Sequence, residues 1–261
     1  MSLKGKVALV TGSTSGIGYA SARFLAQQGC DVMLNGLGEL DKIEALRQSL
    51  QEETGQKIFY HGADMTSADQ IQNLIETTVE QAGRLDILVN NAGIQYVNPI
   101  EDFDPDMWDK IIAVNLSSSF HTMRHAVPQM KKQKWGRIVN IASVHGLVAS
   151  VNKAGYVAAK HGLVGMTKVV ALETAKENIT ANTICPGWVW TDLIKKQVEI
   201  LAEREGLSFE DAKVRLVEEK QPSSGFVLPE EIGSLIGYLC SDEARQMTGG
   251  NYTIDGGWTT Q

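Results

Sequence analysis

The sequence predicts a doubly wound α/β fold: a parallel sheet of about seven strands, in the order 3-2-1-4-5-6-7, covered by helices on both faces. Three observations predict it. Short apolar runs alternate with longer stretches of helical period along all 261 residues. The first apolar run passes directly into a glycine-rich turn and a helix. The composition, 43% hydrophobic and 21% charged with 25 glycines and only 6 prolines, is that of a globular chain. It excludes disordered, collagen-like and disulfide-scaffold classes. Right-handed crossovers between parallel strands then lead to the strand order.

In chain order, the strand candidates are Val7–Val10, Asp31–Leu34, Ile58–Tyr60, Ile87–Val89, Ile138–Ile141, Thr180–Ile184 and Tyr252–Ile254. Between them the helical period marks Gly18–Gln28, Leu40–Glu53, Ala68–Gln81, Ser117–Gln133 and Ala154–Glu177. Two charged helical pieces, Leu193–Glu205 and Phe209–Lys220, interrupt this rhythm within Thr191–Gln221. They follow the sixth strand, at the carboxyl edge where such sheets bind ligands. Both a solvated insertion and a mobile lid fit the pattern. No repeat, low-complexity tract or linker divides the chain, so one domain over residues 1–261 is expected, with the helical lid at about 191–221.

The net charge of −7 argues against nucleic acid and anionic membranes as partners. The apolar run Val7–Val10 is too short for a signal-peptide core, and nothing approaches the ~20 apolar residues of a membrane helix. Cys30, Cys185 and Cys240 are far apart and show no metal spacing. A cytoplasmic protein with reduced, buried thiols and no metal site is the expectation.

The turn after the first strand reads Thr11-Gly12-Ser13-Thr14-Ser15-Gly16-Ile17-Gly18. Glycines in this position permit a tight turn, a close approach of backbone to pyrophosphate, and close helix–strand packing. The helix start then presents unpaired N–H groups and a positive dipole end. The spacing is GxxxGxG, and its placement between strand and helix marks a dinucleotide site. The end of the second strand reads Asn35-Gly36-Leu37-Gly38, without the acid that commonly accepts from ribose hydroxyls. No cation for a 2′-phosphate stands there either, the first base being Lys42, so NAD is favoured over NADP.

Tyr156 and Lys160 are four residues apart in a helical pattern and share a face. A free tyrosine, with a pKa of ~10, is a poor base at neutral pH, and a neighbouring ammonium lowers that value. Ser143 ends the fifth strand thirteen residues before Tyr156 and offers a hydroxyl to an oxygen whose charge changes during reaction. Asn90-Asn91-Ala92-Gly93 ends the fourth strand, Asn115 lies in the helix that follows, and Pro186-Gly187 follows the sixth. Singly these are an amphipathic surface pair, a strand-end hydroxyl, a core amide and two turns.

Taken together, Thr11 to Gly18, Asp64, Asn90 to Gly93, Asn115, Ser143, Tyr156/Lys160 and Pro186-Gly187 resemble the short-chain dehydrogenase/reductase family over essentially the whole chain. The resemblance implies a Rossmann-like fold, a nicotinamide dinucleotide, and a Ser–Tyr–Lys–Asn mechanism. Tyr156 would exchange the proton with the substrate oxygen, and Ser143 would stabilise that oxygen. Lys160 would hold the ribose and depress the tyrosine pKa, while Asn115 would position a water linking Lys160 to solvent. The implied cofactor contacts are Gly12, Thr14, Ser15, Gly16, Ile17, Gly18, Asn35, Leu37, Asp64, Met65, Asn91, Ala92, Gly93, Tyr156, Lys160, Pro186, Gly187, Val189 and Thr191. Family members are commonly tetramers, so a homotetramer is expected.

Within the family, Leu34-Asn35-Gly36, Asn91 to Gln95, Ala142 to Ser150, Asn152-Lys153, Cys185 to Val189, Lys220-Gln221-Pro222 and Asp255 to Trp258 are similar to the bacterial members that act on D-3-hydroxybutyrate. This implies a small carboxylate substrate, held by Gln95, His145, Lys153 and Gln197 between the apolar walls Trp188 and Trp258, beside Ser143 and Tyr156. The expected reaction is the reversible, NAD-linked oxidation of (R)-3-hydroxybutyrate to acetoacetate. Two alternatives stand beside it: an NADPH-linked 3-oxoacyl-thioester reductase, and a dinucleotide-sensing scaffold without catalysis.

Overall fold

A strand whose every residue is buried needs cover on both faces, and the computed structural model, which describes residues 2–260, supplies it. Strands β1 (Val7–Val10), β4 (Ile87–Asn90) and β5 (Gly136–Ile141) are buried throughout. With β2 (Asp31–Asn35), β3 (Ile58–His61), β6 (Ile179–Pro186) and β7 (Asn251–Ile254) they form a seven-stranded sheet of order β3-β2-β1-β4-β5-β6-β7. All pairings are parallel, with Leu9 opposite Met33 and Leu88, Asn90 opposite Asn140, and Ile184 opposite Tyr252. The predicted order is the observed one.

Successive side chains of a strand point to opposite faces, so two cores form. Ala8 and Val10 join a cluster with Leu25, Ile232 and Ile236. Leu9 between them joins Met33, Leu74, Met123 and Ile138 on the other face. The first core is covered by helices α1 (Gly16–Gln27), α2 (Leu40–Thr54) and α9 (Pro229–Cys240). The second is covered by α3 (Ala68–Ala82), α5 (Ser118–Gln133) and α6 (Ala154–Thr174). Helix ends follow local chemistry: Ser67 Oγ accepts from Gln70 N at the start of α3, and Gly83, at φ 81°, ends it.

Helix α4 (Pro105–Ile112) and α9 were not anticipated from the sequence pattern. Helix α4 is short, capped by Asp104, with Pro105 in its first turn. Half of helix α9 is buried, and Glu230, Glu231, Ser234 and Tyr238 line its exposed face. Its Gly233 and Gly237 lie against α1: a β-carbon on Gly237 would collide with the Phe24 ring, and one on Gly233 would lie 3.1 Å from Phe24 Cβ. The two helices of the 191–221 region are α7 (Asp192–Glu205) and α8 (Phe209–Glu218). None of the helices is long and apolar enough to cross a membrane, among the described residues.

A buried polar chain fixes the sheet against the helices behind the site. Thr122 Oγ1 donates to Asn90 Oδ1 (2.7 Å), Asn90 Nδ2 to Asn140 Oδ1 (2.8 Å), and Asn140 Nδ2 to Thr167 Oγ1 (2.8 Å). Fully satisfied networks of this kind hold one register and disfavour others. Because every strand runs the same way, the carboxyl ends of β1, β4, β5 and β6 deliver Gly12, Asn91, Ser143 and Gly187 to one edge.

Candidate active site

The glycine-rich loop forms the first half of this edge. Gly12 (φ 61°) and Gly16 (φ 53°) occupy left-handed conformations that disfavour any side chain. A β-carbon on Gly12 would lie 2.9 Å from Ala92 Cα, and one on Gly18 would strike the Gly12 carbonyl oxygen. Thr11 Oγ1 accepts from Asn91 N (3.0 Å) and Ala92 N (3.1 Å), and Asn91 Nδ2 donates to the carbonyls of Thr11 and Gly12, both at 3.0 Å. The loop is thereby tied to the end of β4. Ser15 caps α1 with its backbone only, leaving the exposed helix start open towards an anion. Thr191 stands across from Gly16, its Cγ2 being 3.5 Å from a β-carbon placed there. This cradle fits a pyrophosphate.

Asn35 departs from its expected role as a direct cofactor contact. Its side chain is fully buried, donating to the carbonyls of His61 and Ala63 (both 3.0 Å) and accepting from Gly12 N at 3.4 Å. Its backbone N–H also donates to Ser13 Oγ (2.9 Å). Asn35 therefore braces the glycine loop against β3 and has no face for a ribose. The accessible position is Leu37, 65% exposed, while Lys42 is paired with Glu39 at 3.0 Å. Asp64 is half-buried, and its Oδ1 accepts from Thr66 N (2.8 Å) and Thr66 Oγ1 (2.9 Å). Met65 packs into the second core, and Val189 into the first.

The second half of the edge gathers the expected reacting groups. Ser143 leaves β5 extended and accepts from His145 N at 3.2 Å, and its hydroxyl is near enough to the Tyr156 phenol to favour the phenolate. Lys160, on the face of α6 that also carries Tyr156, donates to the Ile141 carbonyl at 2.7 Å and lies 5.6 Å from the Tyr156 ring centroid. Burial pushes the Lys160 ammonium down to about 8. Burial also raises the Tyr156 phenol above its usual value, the neighbouring Ser143 hydroxyl only partly opposing it. The direction is opposite to the lowering expected of a neighbouring lysine, because desolvation of the buried phenolate dominates. Asn115 sits in a π-helical turn, Ala113–Ser117, between α4 and α5. Its amide both accepts from Ile94 N and donates to Ile94 O, each at 2.9 Å. A β-carbon on Gly93 would be 3.7 Å from both Asn115 Oδ1 and Lys160 Nζ, so the three meet at the floor of the cleft.

Beside them lies a compact group of expected substrate contacts. Lys153 Nζ is 3.4 Å from His145 Nε2 and 5.5 Å from the Trp188 ring centroid. The His145 ring meets Trp258 edge-on at 5.5 Å and Tyr156 at 6.2 Å, and Trp188 packs on Trp258 at 5.8 Å. Burial, reinforced by the Lys153 charge, holds the His145 imidazole down at about 4, and burial lowers Lys153. Lys153 makes no ion pair among the described residues, and Trp188 Nε1 is buried without a hydrogen-bond partner. Two cationic or N–H-bearing side chains without a carboxylate suit a small anion. Gln95 and Gln197 are half-buried and make no hydrogen bond to this group among the described residues. Gln197 lies on α7, between the buried positions Ile194 and Val198.

One residue to which sequence reading gave no role completes the wall. The Asp255 carboxylate, itself buried, accepts from Thr259 N (2.9 Å) and Thr259 Oγ1 (2.6 Å) and so holds the turn that carries Trp258. Its only signal was an acid in an Asp-Gly-Gly turn. The three thiols are buried and unpaired, and burial raises each of them.

A nucleotide cradle at the switch edge of a parallel sheet, beside a Ser–Tyr–Lys group, defines a dinucleotide-linked oxidoreductase. The short chain dehydrogenase family model matches residues 6–201, and the chain belongs to this family. A D-beta-hydroxybutyrate dehydrogenase of Cupriavidus necator is 55% identical over 259 residues, covering 99% of this chain and 100% of that protein. A second D-beta-hydroxybutyrate dehydrogenase, of Rhizobium meliloti, is 49% identical over 98% of this chain and 99% of its own. Among solved structures, L-sorbose reductase of Gluconobacter frateurii, complexed with NADPH and L-sorbose, superposes with a TM-score of 0.96. That match is 29% identical and covers 100% of this chain and 99% of the reductase.

Proposed function

We propose that this protein interconverts (R)-3-hydroxybutyrate and acetoacetate with NAD as the hydride carrier. The observation that carries the reading is the Lys153–His145 pair, sequestered beside Ser143 and Tyr156 with no carboxylate at ion-pair distance of Lys153 among the described residues, Glu219 acting on it only from farther away. The relatives named above support the same reaction. The neutral Leu37 and the Glu39-paired Lys42 at the end of β2 favour NAD over NADP, which would need a free cation there.

Gly12, Gly16, the start of α1 and Thr191 would hold the dinucleotide, which would supply the hydride acceptor for the carbinol carbon. Lys153 and the N–H of His145 hold the carboxylate, and Trp188 and Trp258 exclude water around the short chain. Ser143 donates to the reacting oxygen, favouring the charge that develops on it. Tyr156 takes the hydroxyl proton during oxidation and returns it to the ketone oxygen in reduction. Lys160 holds the ribose side, and Asn115, locked by Ile94, keeps the solvent-linked end of the proton path in place. Helices α7 and α8 act as a lid over the substrate on a single domain, and Gln197 reaches the carboxylate only when α7 closes. The exposed apolar side chains of Phe120 on α5 and Val169 and Leu172 on α6 provide surface for a homotetramer.

The test is a panel of (R)-3-hydroxybutyrate and its CoA thioester, each with NAD⁺ and NADP⁺. Reduction of NAD⁺ by the free acid is expected. Turnover of the thioester alone would overturn the substrate assignment, and turnover with NADP⁺ alone would overturn the cofactor assignment.

A further inference from the structure

The region Trp188–Trp190 and the end of α8 are joined in a way that the reaction above does not use. Val189 bridges to Val227, Val227 N donates to Trp188 O (2.9 Å), and Trp190 N donates to Val227 O (2.8 Å). The whole α7–α8 insertion is therefore slung from a short two-stranded stalk. Within this stalk sits Gln221, fully buried just beyond α8. Its backbone N–H donates to Val217 O (2.8 Å), which continues the helix. Its side-chain oxygen accepts from Trp188 N, and its side-chain nitrogen donates to Gly225 O at 2.6 Å. A β-carbon on Gly187 would collide with the Gln221 side-chain oxygen, and one on Gly256 would lie 3.2 Å from its nitrogen. Gly187 is thus shaped around this amide, while the space at Gly256 is closed first by Ser223 Oγ.

We propose that Gln221 is a positioning residue that sets the substrate's chain length. It ties the end of α8 to the Trp188 backbone. The Trp188 ring packs on Trp258, and Trp258 packs on His145. A buried amide with both ends satisfied and no room to rotate holds the Trp188 backbone in one place. The Trp188–Trp258 wall then stands at a fixed distance from the Lys153–His145 anchor. A four-carbon acid fills that space, and each extra methylene must push the wall away. This inference rests on the hydroxy-acid reading above.

The experiment compares wild type with Gln221→Met, which keeps the volume and loses both hydrogen bonds, and Gln221→Glu, which keeps the acceptor for Trp188 N. Two readouts are taken: the ratio of kcat/KM for (R)-3-hydroxyvalerate over (R)-3-hydroxybutyrate, and hydrogen–deuterium exchange of the segment containing the Trp188 amide. For Gln221→Met the ratio should rise about tenfold, the scale of one methylene's discrimination, while the KM for NAD⁺ stays unchanged. Exchange at Trp188 should accelerate at least about tenfold as its acceptor is lost. Gln221→Glu should restore the slow exchange and most of the selectivity. Faster exchange with an unchanged ratio would overturn the role in selectivity, leaving only a structural one. Unchanged exchange would overturn the latch itself. If Gln221→Met does not fold, Gln221→Glu losing selectivity while keeping slow exchange would likewise overturn the proposal. If the wild type turns over neither acid, the functional reading fails, and the exchange result still decides whether Gln221 holds Trp188.

Discussion

The two halves of the catalytic edge are built on opposite terms. In the cofactor half, Asn35, Asn91, Thr11 and Ser13 direct their polar atoms at neighbouring backbone, and the loop they hold is fixed before any ligand arrives. In the substrate half, His145 Nδ1 and Trp188 Nε1 are buried without partners, and Lys153 is desolvated without an ion pair. Buried polar groups in folded proteins are almost always paired, so unpaired ones mark a place for a ligand. The difference teaches that recognition of the dinucleotide rests on backbone shape, and recognition of the substrate on a few charged side chains. Substitutions in the first half should act through sterics and folding, and those in the second through substrate affinity.

The sharpest break of this division is Tyr156→Phe. It removes the proton carrier and leaves the cradle intact, so kcat should fall about 10³-fold, the middle of the range for general acid–base groups. Binding of NAD⁺, followed by fluorescence titration, should be unchanged; activity within a few-fold of wild type would remove Tyr156 from the chemistry. Next in size is Lys153→Ala, which should raise the KM for the acid by ~1.5–3 kcal/mol while the KM for NAD⁺ holds. An unchanged substrate KM would place the carboxylate elsewhere. Gly18→Ala should do the reverse. The new methyl meets the Gly12 carbonyl and Asn91, costing ~1–3 kcal/mol in stability or in dinucleotide affinity. Urea midpoints and NAD⁺ titration separate these two outcomes.

The smallest effect is on pH. His145 is held at about 4 in the fold, chiefly by burial and then by Lys153, against ~6.5 in the unfolded chain. Between those values the unfolded state binds the extra proton, so stability should fall as pH drops from about 6.5 towards about 4. His145→Gln should flatten this slope in urea unfolding.

The fold was legible because the strands are short apolar runs buried on both faces, and because Gly12, Ser143, Tyr156 and Lys160 stand at strand ends and helical spacings that bring them to one edge. What escaped the sequence depends on neighbours that only folding supplies. Asn35 was expected among the cofactor contacts from the family resemblance; the carbonyls of His61 and Ala63 turn its amide inward. Helix α9 escaped because Gly233 and Gly237 weaken its helical signal, although Glu230, Ser234 and Tyr238 share one exposed face. The π turn around Asn115 has no pattern of its own. The upward direction of the Tyr156 shift follows from three-dimensional burial, which the Tyr156/Lys160 spacing alone does not report.

The central claim is that Lys153 and His145 recognise a carboxylate, and removal of that charge from the substrate tests it most directly. The kcat/KM for (R)-3-hydroxybutyrate and for its methyl ester should be measured with NAD⁺ on the same preparation. The ester keeps the carbinol and the carbon chain, loses the anion and gains one methyl, so its kcat/KM should fall at least about 100-fold, the scale of a lost charged hydrogen-bond pair. Equal values for acid and ester would contradict the account.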